Sequence, residues 1–220
     1  MLDISELTPE ALKARFKARC AATNSMHQNW QIRVHRSLSW FRLATELQGQ
    51  PEAKYLFHWI ALNALYGRWD GGKNAPDAEA PSRREFLAQL QCADADVLAG
   101  FLRQTRPLVR KILGNAFLSP IFWRDPANPK AKGWATADVN YLERNLKNQD
   151  YVTIVEQALS RLFVLRSQIV HGASTGGSKL NRSVLQTGIQ TLEILVPRVQ
   201  HSVIIHRCGD QWPDLCYPPV

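Results

Sequence analysis

The sequence predicts an all-α fold: a bundle of four long amphipathic helices, with shorter helices and loops inserted between the second and the last pair. Three observations predict it. Apolar residues recur at helical spacing through most of the chain. Recognisable start and stop signals bracket those runs. No segment alternates like a strand, and no internal repeat is present. The 220 residues suffice for one good-sized core, and 45% hydrophobic with 21% charged residues excludes a disordered, collagenous or low-complexity chain.

Thr8-Pro9-Glu10 places a capping hydroxyl, a proline and an acid where a helix begins, so a short basic helix is expected over 11–20. Polar residues 21–29 read as a loop. Val34, Leu38, Phe41 and Leu47 give the next helix, 30–47, before Gly49 breaks the chain. Pro51 opens another over 52–67, with Leu56, Trp59, Ile60 and Tyr66 on one stripe. Residues 69–81 are Gly- and Pro-rich and read as an exposed loop. Ser82-Arg-Arg-Glu85 has the form of a capping box, which predicts a helix over 83–92. Asp94 then caps a helix over 95–113. The stretch 114–133, with Pro120, Pro126 and Pro129, is expected to be irregular, and 136–148 to be a short helix. Two long helices close the chain, 151–170 and 181–207, with Pro197 expected to kink or break the second. The whole reads as one domain over 1–220, with 1–29 as an N-terminal extension and 69–150 as an insert region.

Lys and Arg number 27 against 19 Asp and Glu, a net charge of +8, which favours a polyanionic partner such as RNA. No stretch approaches the roughly 18 apolar residues of a membrane span, and the N-terminus lacks the apolar core of a signal peptide. Cys20, Cys92, Cys208 and Cys216 are scattered, without a CxxC pair, as in a cytoplasmic protein with reduced thiols. Neither a phosphate-binding glycine loop nor an HExxH is present. His206, Cys208 and Cys216 are a weak metal signal, better read as unrelated tail residues. Neither a metal nor a cofactor is expected.

Of the six histidines, five sit among ordinary helix or loop residues and read as surface or satisfied groups. His171 stands out. It closes the segment LFVLRSQIVHGAST (162–175), in which Leu162, Leu165 and Ile169 mark the buried stripe, Arg166 and His171 flank it, and Gly172 is a natural C-cap. Five helical residues turn through about 500°, so Arg166 and His171 are not stacked, whereas Ser167 and His171 are. A deformable last turn would still let Arg166 and His171 converge at one mouth. Such a pair suits metal-free attack of an RNA 2′-OH on the adjacent phosphate, with His exchanging protons and Arg neutralising phosphoryl oxygens. A helix end with His favourable to the dipole is the plainer reading.

LFVLRSQIVHGAST resembles the Arg-x(4–6)-His signature of the HEPN superfamily. YLFHWIALNALYG (55–67) resembles the W-I-A-x-N-A-x-Y-G stretch on an earlier core helix of Apea-like and related HEPN domains. The two lie in the family's order and cover about 40 residues; elsewhere only the helical layout is similar. The resemblance implies a HEPN-like bundle that pairs as a homodimer, bringing two Arg-x-His motifs into one cleft. It implies a metal-independent endoribonuclease leaving a 2′,3′-cyclic phosphate, in a defence or toxin–antitoxin setting. The alternative it carries is an inactive module that binds RNA, a nucleotide or a protein partner. On that reading Arg166 orients the scissile phosphate, His171 is the acid/base, and Asn63 faces the same cleft as a supporting group. Ser167 stands where the family often has Asn, Asp or His. A partner antitoxin or nucleotidyltransferase also follows from the resemblance. The Tyr that follows the motif His in the nucleotidylated subgroup is replaced by Gly172-Ala173, so modification of this chain is not expected. Trp69, Trp123 and Trp134 fall in loop-like stretches beside Arg68, Arg124, Lys130 and Lys132. They are candidates for single-stranded RNA, with burial under the bundle as the plainer reading. Trp59 and Tyr66 read as core.

Overall fold

The final apolar run decides the centre of the molecule. In the computed structural model it forms α9 (Arg182–His206), in which every residue from Leu195 to Gln200 is buried. A helix apolar on all sides must be surrounded. Residues 4–22, 28–128, 130–173, 176–177, 182–207 and 210–217 are described, the side chains of 131, 132 and 134–137 excepted. Pro197 does not break the helix: α9 runs through it, held between α3 (Pro51–Tyr66) and α5 (Asp96–Leu113). Burial on both sides outweighs one missing hydrogen bond.

The hairpin of α2 (Gln28–Glu46) and α3 is antiparallel, and its register is legible in its cross-contacts. Arg33 donates to the Leu65 carbonyl, Ser37 to that of Ala61, and the Phe41 ring lies 5.8 Å from His58. The N-terminal α1 (Pro9–Ala22) packs on α9, where Arg15 meets His201 Nδ1 at 2.9 Å. On the other flank α8 (Tyr151–Val170) packs against α5 and α4 (Glu79–Ala93), and α7 (Ala131–Lys147) packs on α8.

Three local expectations are corrected. A two-residue antiparallel pair, β1 (Trp69–Asp70) and β2 (Ala75–Pro76), replaces the loop read over 69–81. Helix α4 starts at Glu79, one turn before the expected capping box, so that Ser82 lies inside it and its hydroxyl donates back to the Ala78 carbonyl, with Asp77 3.4 Å away, instead of capping. The stretch read as irregular up to 133 holds a 3-10 turn, Ala116–Leu118, the short α6 (Pro120–Arg124) and the first turn of α7. Among the described residues no helix is long and apolar enough to cross a membrane.

A buried ionic cluster ties α3, α4 and α8 together. Arg83 is bidentate on Glu156 at 2.7 and 2.8 Å and also reaches Ser160, while the Tyr66 hydroxyl donates to Glu79. The C-terminal residues 210–217 form a strap. Arg33 donates to the carbonyls of Pro213 and Asp214, and Arg36 to those of Cys216 and Tyr217.

Candidate functional site

The end of α8 is built in detail. Asp150 caps its start, accepting from Thr153 N–H at 3.1 Å. At the other end Gly172 takes φ +68° and donates to the Ile169 carbonyl, while Ala173 N–H reaches back to Gln168 O at 2.8 Å. This paired closure is the glycine-dependent helix stop that the sequence signals. His171 is the last residue before it, and its own N–H still bonds Ser167 O at 3.0 Å. The helical bonding therefore continues up to His171, whose own backbone (φ −89°, ψ 9°) is where the helix stops, and His171 follows Ser167 and Val164 along one face. Its side chain is exposed.

That face of α8 forms one wall of a groove of about 350 Å3, lined by Val164, Ser167, Gln168 and His171. Phe117 and Trp123, from the segment inserted between α5 and α7, form the opposite wall. Both rings are more than half exposed, at 56% and 52%. They stand in edge-to-face contact with the buried Phe122, each 5.1 Å from it. Trp123 Nε1 donates to Phe117 O at 2.8 Å, and Gln168 Nε2 donates to the same carbonyl at 3.2 Å. Sequence reasoning named Trp123, Ser167 and His171 but missed Phe117 and Gln168. Gln168 had a signal, lying three residues before His171; Phe117, alone in a Pro-rich stretch, had none.

Arg166 lies elsewhere on the helix. It sits four residues after the buried Leu162 and seven after Leu159, half-buried at the border of the buried stripe. Its guanidinium is 5.8 Å over the Phe163 ring, and Phe163 in turn packs on Trp59. Its charge is felt by Tyr55: burial pushes that phenol well above its ordinary value, and Arg166 works against the shift. Arg166 is about 140° around the axis and about 7.5 Å along it from His171, and it is not among the residues lining the groove. With helical bonding kept up to His171, the two side chains leave α8 on different faces.

Asn63 is not brought to His171 either. Tyr55 donates to Leu162 O, whereas Tyr66 connects through Glu79 and Arg83 to Glu156, so α3 runs antiparallel to α8. Asn63 therefore sits toward the start of α8, next to Gly67 and Cys216. Arg68 is paired with Asp77 at 2.5 Å and with Glu85 at 2.6 Å. Arg124 and Lys130 are exposed. The side chains of Lys132 and Trp134 lie outside the described residues. Trp69 packs on Tyr217, while Trp59 and Tyr66 are core.

Comparison with family models, curated proteins and solved structures finds no match to this chain. The chemistry of the groove is thus read from its own residues. Nothing in it resembles a metal site, and among the described residues no group of His, Cys, Asp or Glu converges as metal ligands. Cys208 of the tail lies outside the described residues. The basic face of α5 is largely matched by acids: Arg103 pairs with Asp96, and both Arg106 and Arg110 with Glu143. The cation nearest in sequence to the groove's exposed aromatic wall is Arg124, adjacent to Trp123.

Proposed function

We propose that the chain is a metal-independent endoribonuclease of the HEPN type, a helical bundle acting as a homodimer. One observation carries the reading: the histidine of the Arg-x4-His motif is exposed at a capped helix end, in a groove large enough for a nucleotide. His171 takes the proton from a ribose 2′-OH. The oxygen attacks the adjacent phosphorus, the P–O5′ bond breaks, and the leaving oxygen is reprotonated, leaving a 2′,3′-cyclic phosphate and a 5′-OH. Arg166 supplies positive charge to the phosphoryl oxygens. Because it lies on another azimuth of α8, the site is completed across a two-fold, with His171 of one copy serving a phosphate held by Arg166 of the other. The +8 charge supports a polyanionic substrate. A toxin–antitoxin or other defence setting, and an antitoxin partner, belong to the same resemblance.

The test is cleavage of a mixed RNA pool in EDTA by the wild type and by Arg166→Ala and His171→Ala. The wild type cuts, and losing the acid/base group costs about 10²- to 10⁴-fold. Cleavage that persists in both variants overturns the proposal. The separation of Arg166 from the groove favours a second reading, a non-catalytic module that binds RNA, a nucleotide or a protein. It predicts RNA binding without turnover in the same tubes.

A further inference from the structure

The aromatic wall opposite His171 is organised for more than filling space. Phe117 and Trp123 are exposed yet fixed, standing on the buried Phe122 with the Trp123 indole N–H satisfied by Phe117 O. Trp123 therefore lines the groove with an indole that has no donor left to give. Facing it, α8 offers the Ser167 hydroxyl, the His171 imidazole and the Oε1 of Gln168, whose Nε2 is already engaged by that same carbonyl.

We propose that this groove is a stacking site for one unpaired nucleobase of single-stranded RNA, which sets its backbone against His171. The inference rests on the reading of the chain as RNA-directed. Its chemistry is specific: a flat ring with a polar edge matches two exposed aromatic rings together with a hydroxyl and an amide oxygen in one groove. An aliphatic side chain of a protein partner would leave those polar groups unmatched. Base–aromatic stacking accepts any base, and a preformed platform lowers the ordering cost of binding. Arg124, exposed beside Trp123, and the +8 chain complement the phosphates. A duplex keeps its bases stacked inside and cannot use the site.

The experiment is equilibrium binding in EDTA of a fluorescent, fully 2′-O-methylated RNA, as a single strand and as a duplex. Methylation blocks 2′-OH attack, so binding is read apart from cleavage. Trp123→Ala weakens single-strand binding roughly 5- to 100-fold. Trp123→Phe keeps it within about threefold, and neither variant moves duplex binding by more than about twofold. Unchanged single-strand affinity in Trp123→Ala overturns the proposal, as does an equal loss for strand and duplex. A change of oligomeric state in Trp123→Ala, seen by light scattering, also overturns it and makes the aromatic wall an interface between copies. Trp123-dependent binding without cleavage of unmodified RNA leaves the base site standing and removes the nuclease. Cleavage with Trp123-independent binding does the reverse.

Discussion

His58 and His171 carry the same side chain into opposite environments. His171 is exposed at a helix end, while His58 is fully buried on α3, and neither of its ring nitrogens has a hydrogen-bond partner among the described residues. Burial, helped by Lys54, pushes His58 down from 6.5 to about 4. Its folded value is depressed, so between those values the unfolded chain binds the proton that the folded chain refuses. Stability is thus full above pH 6.5 and falls as pH drops toward 4, by as much as about 3 kcal/mol. His201, lowered by burial and Arg15, acts in the same direction. Melting temperatures taken from pH 7 to 5 fall in the wild type, and the slope is shallower in His58→Phe; equal slopes would show that His58 does not carry the effect. The sequence singled out His171 from its neighbours in the helix, but it read His58 as a surface or satisfied group. The burial of His58 depends on α2 laying Phe41 over it, a long-range contact that no local pattern encodes.

The long helices were legible because each combines period and punctuation. The predicted 151–170 coincides with α8, with Asp150 at one end and Gly172 at the other. Misplaced starts occurred where the cap is not a side chain: α4 begins after Ala78 and α7 after Lys130, and neither cap residue makes a side-chain capping bond. The strap at 210–217 was unreadable because it is held by Arg33 and Arg36, about 180 residues earlier in the chain. Packing between elements makes its own demand at Gly188 of α9. A Cβ there would lie 2.9 Å from Tyr55 Cε2 and 3.2 Å from Leu162 Cδ2. Tyr55 is pinned by its bond to Leu162 O and cannot yield. Gly188→Ala therefore loses stability by about 1–2 kcal/mol, overpacking outweighing the roughly 1 kcal/mol of helix propensity it gains. Chemical denaturation reads the sign, and a stabilised variant would show that α3 and α8 shift readily. Removing one partner of the buried pair is more severe: Glu156→Ala leaves Arg83 only Ser160 and the longer contact to Glu79 at 3.6 Å, and costs up to about 3 kcal/mol.

At the scale of the molecule, one chain presents His171 in an aromatic groove and Arg166 on another azimuth of the same helix. A nuclease built this way needs two copies. Light scattering is expected to report a dimer. Mixing inactive Arg166→Ala and His171→Ala proteins under exchange conditions should recover about a quarter of wild-type cleavage, since about half the dimers then hold one intact site of two. A mixture as inactive as its parts would place Arg and His in the same copy's site. The measurement that bears most directly on the central claim is the chemistry of the RNA ends left in EDTA by wild type and by His171→Ala. The account predicts 2′,3′-cyclic phosphate and 5′-OH ends from the wild type and intact RNA with the variant. Ends carrying a 5′-phosphate, or cyclic ends produced equally by His171→Ala, would contradict it.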